Sequence, residues 1–183
     1  MHLQPHKKKS RVKVKPFITT PTVVVGARPV SDIPSLNAAS QSGYVVTGDA
    51  QWSNGAFWAV YYPYRAPQGT LCGYLTSSSS NCTLDLQLPV AKAYDQFSWS
   101  APALTYNRLN AFRIYGSNDG TTWVELLNVS GVTAAMYPTD YSKHLIIQFN
   151  NNTPYLRYRV RSYSILGGSF GVYIQEATWA TRT

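Results

Sequence analysis

From Thr83 to Leu88 the chain alternates strictly, so an extended backbone puts Leu84, Leu86 and Leu88 on one side and Asp85 and Gln87 on the other. That is the period of a half-buried β-strand, and Pro89 closes it. Phe112 to Tyr115 predicts a second strand, Ser117-Asn118-Asp119-Gly120 a tight turn with positive φ at or near Gly120, and Trp123 to Leu127 the returning partner. Leu145 to Phe149 is a further apolar run, ended by Asn150-Asn151-Asn152. Tyr155 to Tyr163 then alternates so that Leu156, Tyr158 and Val160 share one face and Arg157, Arg159 and Arg161 the other. Gly167-Gly168 precedes a last strand over 171–178.

Long amphipathic helices are not visible. Strand following strand, with turn residues between, predicts an all-β antiparallel sandwich of about eight strands. At 183 residues the chain can bury one good core, and no internal repeat of about 20 to 50 residues is present. The start reads differently: Pro16 and Pro21 favour extended backbone, and the segment cannot build a core of its own. Two parts are expected, an extended arm over 1–25 and a sandwich over 26–183.

Charge sharpens that division. The formal net charge is +8, but Lys7, Lys8, Lys9, Arg11, Lys13 and Lys15 supply six of those charges where there is no acid, leaving the rest near +2. A polyanion partner must therefore be sought by the arm and not by the folded part. Val12 and Val14 alternate with Arg11, Lys13 and Lys15, as in a strand added to another protein's sheet edge, which favours protein docking over nucleic acid. Low charge (13%) and abundant aromatics (14%) suit a strand-rich fold.

No apolar run is long enough to span a bilayer, and the basic start leads into Pro16 instead of a signal-peptide core, so neither membrane insertion nor export by the general route is expected. Cys72 and Cys82 flank a serine-rich stretch and match no zinc spacing; a loop-closing disulfide and two reduced thiols both remain open. Asn81, Asn128 and Asn151 head N-x-[ST] triplets and read as loop positions.

Candidate chemistry concentrates in one poorly periodic stretch, where Trp52, Tyr61, Tyr62 and Tyr64 stand near Asn54 and Arg65. Flat aromatic faces stack on the C–H faces of sugar rings while amides and guanidinium bind hydroxyls, so these six are candidate glycan contacts. Phe57 and Trp58 lie among them, with Trp58 expected in the core. The Arg157, Arg159 and Arg161 stripe could meet a carboxylate or phosphate, but the reading preferred here is a solvated strand face. Gly167-Gly168-Ser169-Phe170-Gly171 matches G-x-S-x-G, yet a strand follows it and no histidine lies beyond His144, so it is not a nucleophile elbow. With three histidines, two in the arm, and eight scattered acids, no catalytic constellation emerges and a non-enzyme is expected.

FRIYGSNDGTTWVELL, Phe112 to Leu127, resembles the hallmark of discoidin-like domains, the coagulation factor 5/8 type C or galactose-binding-like family, in which a strand, a Ser-Asn-Asp-Gly turn and a Trp-initiated strand follow one another. In the family's order come YVVTGDAQWSNGAFW (Tyr44 to Trp58), NCTLDLQLP (Asn81 to Pro89) and the closing YLRYRVRSYSILGGSFGVYIQEATW, so the resemblance runs from about Ser40 to Trp179. It implies a discoidin-like jelly roll that binds glycans, headgroups or proteins through loops at one end. The family's structural calcium sits in the early loop, where Asp49 is the one matching side chain; the loop departs from Asp-Gly-Asn, and Gln87 stands where a glycine would follow Asp85-Leu86. No other cofactor is implied. Sequences with a leading Met, no export signal and such a first loop also resemble bacteriophage tail and head appendage proteins. The resulting expectation is a virion structural protein, a capsid decoration or a tail or fibre component assembled in the host cytoplasm. Its basic arm would anchor it to other virion proteins, its sandwich would face host-surface glycans, and it would be a homo-oligomer or part of a larger assembly. The alternative is a free carbohydrate-binding module that targets a separate catalytic chain.

Overall fold

The structure, a computed structural model, describes residues 20–49, 57–61, 74–75, 81–100, 107–140, 142–167 and 171–182. Within them the chain forms strands β1 (Val23–Ala27), β2 (Ser40–Gln41), β3 (Tyr44–Gly48), β4 (Tyr74–Leu75), β5 (Thr83–Lys92), β6 (Gln96–Ser100), β7 (Arg108–Ser117), β8 (Val124–Val129), β9 (Lys143–Gln148), β10 (Tyr155–Leu166), β11 (Tyr173–Ile174) and β12 (Glu176–Ala180). The only helical pieces among the described residues are 3-10 turns at Phe57–Tyr61 and Ala134–Met136, and no helix there is long and apolar enough to cross a membrane.

A four-stranded sheet, β1-β9-β6-β12, faces a six-stranded sheet, β2-β3-β5-β10-β7-β8, with β11 and β4 forming a small ribbon. Every pairing is antiparallel. The expected all-β sandwich is what forms, with nine strands of five residues or more among those described. β1 starts at Val23 and pairs with β9 through Val23↔Ile147, so 23–25, placed in the arm by sequence, belong to the sandwich.

Alternation does the work of burial. Leu84, Leu86 and Leu88 are all buried, as their period required, in one core with Phe112 and Ile114 of β7 and Tyr158 and Val160 of β10. Leu156 is not among them: the register shifts between Tyr155 and Arg157, and Tyr155 takes the inward place. The facing sheet contributes Phe97, Trp99, Leu145, Ile147 and Trp179. Two ring contacts bridge the layers, Trp99 edge-on to Phe112 with centroids 5.1 Å apart and Tyr158 tilted on Trp179 at 5.0 Å.

The polar tips of these rings are satisfied. Tyr158 donates its hydroxyl to Lys92 O (2.6 Å) and accepts from Tyr94 N–H (2.9 Å), while Trp179 Nε1–H donates to the Tyr61 hydroxyl (3.1 Å). Asn151 lies in the loop between β9 and β10, as expected, and is buried there, donating to Tyr94 O and to the Tyr158 hydroxyl. Asn128, also expected in a loop, stands on β8. The single strand expected over 171–178 divides at Gln175, whose N–H goes to Ser100 O, into β11 and β12.

Candidate functional site

The 117–120 turn is built as its sequence requires. Gly120 has φ +79°, and Asp119 Oδ1 accepts from the N–H groups of Thr121 and Thr122 at 2.7 Å each. Those backbone donors hold its carboxyl well below the usual carboxylate range. The turn is thereby folded back over the outer face of the six-stranded sheet.

That outer face is a ladder of polar side chains set by register. Thr47 pairs with Asp85, Asp85 with Arg159, and Arg159 with Tyr115; one row away, Val45 pairs with Gln87, Gln87 with Arg157, and Arg157 with Ser117. Arg159 grips Asp85 with both prongs, Nε to Oδ1 and Nη2 to Oδ2, each 2.7 Å. Hydrogen bonding to that carboxylate raises the guanidinium further above its ordinary range. Arg157 donates Nε–H and Nη2–H to the neutral Gln87 Oε1 (3.2 and 3.0 Å), and Arg161 reaches Asn81 Oδ1 at 3.4 Å. Arg157 and Arg159, expected on a solvated face, are instead partly buried and tied down, with Gly120 against the first and Trp123 over the second.

Trp123 completes the cover. Its ring lies over Arg159, with the guanidinium carbon 4.0 Å from the ring centroid, and its Nε1–H is spent on Gly120 O at 3.2 Å. Between this wall and β3 runs a groove of about 240 Å³ lined by Val45, Thr47, Asp85, Gln87, Gly120, Trp123, Arg157 and Arg159. Sequence reading placed Trp123 only as a strand start, and its spacing from the arginines, 34 residues or more, gave no hint that they meet.

The expected glycan contacts fare differently. Trp52, Asn54, Tyr62, Tyr64 and Arg65 lie outside the described residues, as do arm residues Lys7, Lys8, Lys9, Arg11, Lys13 and Lys15, Cys72 and the G-x-S-x-G serine; for Trp58 only the backbone is described. Tyr61 is a correction: it is 4% exposed, and burial pushes its hydroxyl far above the ordinary tyrosine range, so it fills the core and meets Trp179 instead of a ligand. Asp49 accepts from Thr83 N–H through Oδ2, and its own N–H donates to Thr83 O, which anchors the start of β5. The rest of the early loop to which the resemblance assigns the calcium, residues 50–56, lies outside the described residues.

A second polar cluster lies on the four-stranded sheet. Ser98 Oγ is 3.0 Å from His144 Nδ1 and 2.6 Å from Thr178 Oγ1, His144 Nε2 is 3.2 Å from Glu176, and Arg28 pairs with Glu176 at 2.5 Å. With Nε2–H donating to Glu176, Nδ1 accepts from Ser98, which accepts from Thr178. Serine, histidine and carboxylate meet here, with Ser98 and His144 fully buried.

No family model matches the sequence, and no curated protein matches it. Solved structures do. CpGH89CBM32-5 from Clostridium perfringens, in complex with GalNAc-β-1,3-galactose, superposes at TM-score 0.57 with 12% identity, over 75% of this chain and 94% of that one. CBM32-3 from a family 31 glycoside hydrolase of Clostridium perfringens gives 0.59 at 14% identity, over 77% and 92%. The CBM32 of AlyQ, in complex with 4,5-unsaturated mannuronic acid, gives 0.55 at 17% identity, over 75% and 95%. At such identities the likeness is one of fold: the chain has the discoidin-like, galactose-binding-like sandwich of these carbohydrate-binding modules, as the Phe112 to Leu127 resemblance led one to expect.

Proposed function

We propose that this chain is a non-catalytic glycan-binding domain whose ligand lies in the groove on the outer face of the six-stranded sheet. One observation carries the reading: Trp123 lines a groove of about 240 Å³ together with Thr47 and with Asp85, Gln87 and Arg157, polar side chains that neighbouring groups hold in place. An aromatic ring takes the C–H face of a sugar, and preorganised polar groups take its hydroxyls without losing rotamer freedom. Carbohydrate-binding modules of the same fold lend it support.

The finer proposal is that the domain serves in a virion, as a capsid or tail appendage anchored by the basic arm. What supports it is the charge and alternation of residues 7–15. A free module directed to a separate catalytic chain makes the same use of the groove.

The test is a glycan array on wild type and Trp123→Ala, run beside an arm-deleted chain assayed for incorporation into particles. Specific glycan binding lost with Trp123 is the expected result. An array without signal, or one that Trp123→Ala leaves unchanged, overturns the groove reading; incorporation unaffected by deletion of the arm overturns the anchoring role.

A further inference from the structure

The groove's charges do not balance. Asp85 is the one carboxylate among its described lining residues, and both of its oxygens are held by Arg159. Arg157, two residues along the same strand, has the neutral Gln87 amide oxygen as partner, and no carboxylate among the described residues pairs with it. Arg161 repeats the pattern on the neutral Asn81, and Arg113 beside it is already paired with Glu125. Among the described residues, the face thus carries two ion pairs, Arg159–Asp85 and Arg113–Glu125, and two guanidinium groups, those of Arg157 and Arg161, without a carboxylate partner.

Geometry leaves Arg157 a usable edge. Nε and one hydrogen of Nη2 are spent on Gln87, whereas Nη1 and the other Nη2 hydrogen are not. The two bonds to Gln87 orient the guanidinium, and Gly120 leaves room for Nη1 where a Cβ would collide with it. An unpaired, partly buried and oriented guanidinium is costly to keep unless an anion meets it, and its planar fork matches a carboxylate in bidentate fashion.

We infer that the groove selects acidic sugars: a uronate whose ring lies along Trp123 and whose carboxylate is gripped by the free edge of Arg157. This rests on the glycan-binding reading above and adds the class of glycan. Arg159 uses the same two nitrogens, but on a carboxylate that already neutralises its charge, whereas the Gln87 amide leaves the charge of Arg157 unmet. Arg157 is therefore the specificity-determining residue, and Trp123 carries affinity common to neutral and acidic rings.

The experiment is calorimetric titration of the full chain with tri-galacturonate, with its carboxyl-reduced neutral counterpart and with a sulfated galactose trisaccharide. Arg157→Gln, Arg157→Lys and Trp123→Ala are measured alongside, each checked by a cooperative thermal melt to be folded at the titration temperature. Wild type is expected to bind the uronate about tenfold or more tightly than the neutral trisaccharide, the scale of one charge-assisted contact. Arg157→Gln should erase that gap while keeping neutral binding, Arg157→Lys should restore part of it, and Trp123→Ala should weaken both ligands. Equal affinity for uronate and neutral sugar in wild type, or an equal gain from the sulfated sugar, overturns the inference and leaves the glycan reading in place. No binding of any sugar, or binding indifferent to Trp123→Ala, overturns both. Should Arg157→Gln unfold, Arg157→Lys decides alone: an undiminished preference for the uronate refutes bidentate capture.

Discussion

Trp123 covers Arg159 at 4.0 Å while the same guanidinium holds Asp85 with both prongs, so one arginine joins the turn to two strands of the sheet beneath it. The ring is consequently fixed at the edge of the groove before any ligand arrives, which lowers the ordering cost of binding. Trp123→Ala should therefore remove glycan affinity by about tenfold or more. The stability lost should be only about 1 kcal/mol, the worth of a partly exposed cation–π contact, or a few degrees in Tm for a chain of this size. Titration and thermal melts of the same variant check both halves; a large fall in Tm with affinity intact would reverse the assignment.

The Asp85–Arg159 pair is expected to matter more to stability than the exposed pair Arg113–Glu125. Its partners are 22% and 26% exposed, against 41% and 38%, and its geometry is bidentate. A double-mutant cycle with Asp85→Asn and Arg159→Gln should give a coupling of about 1 to 2 kcal/mol, whereas one on Arg113 and Glu125 should give less than about 0.5 kcal/mol. Chemical denaturation of the single and double variants measures both.

Most of this sandwich is legible in the sequence because strand period and turn chemistry are local. Leu84, Leu86 and Leu88 announce an inward face, and Ser117 to Gly120 announces a turn with positive φ. What alternation cannot reveal is long-range register. That Arg157 meets Gln87 and Arg159 meets Asp85 depends on how β10 pairs with β5, and a shift of one residue would have put both arginines in the core. The bulge after Tyr155 likewise moved Leu156 off the inward face with no local signal beyond an aromatic at either end. Tyr61 misled for the opposite reason: aromatics rich enough for a sugar platform are also what a sandwich uses as filler, and Trp179, 118 residues away, claimed it.

Gly120 is where the turn and the arginine floor constrain one another. Alanine there meets two penalties, a left-handed backbone at φ +79° and a Cβ driven into the Arg157 guanidinium. Gly120→Ala should cost about 1 to 3 kcal/mol in denaturant unfolding. Gly131, at φ +78° but with nothing within 4 Å of the place a Cβ would take, is the control: its alanine variant should suffer the backbone cost alone. If the two variants lose equal stability, Arg157 is not held by the turn.

Four buried tyrosines should set the alkaline limit of the fold. Burial pushes the hydroxyls of Tyr61, Tyr94 and Tyr137 far above the ordinary 10.0, and that of Tyr158 up to about 12. For an acid whose pKa is raised by folding, the unfolded chain loses its proton first. Stability is therefore undiminished below about pH 10 and falls as pH rises through it, at about 1.4 kcal/mol per pH unit for each tyrosine ionised only in the unfolded state. In a spectrophotometric titration these four phenols should stay silent while exposed tyrosines ionise, then appear together in one cooperative step that coincides with loss of tryptophan burial. Tyr158→Phe deletes one of the four titrations at the cost of the hydrogen bonds with Lys92, Tyr94 and Asn151, so its neutral-pH stability should drop while its alkaline slope becomes shallower. Gradual ionisation of all tyrosines near pH 10 without unfolding would mean that these hydroxyls reach water.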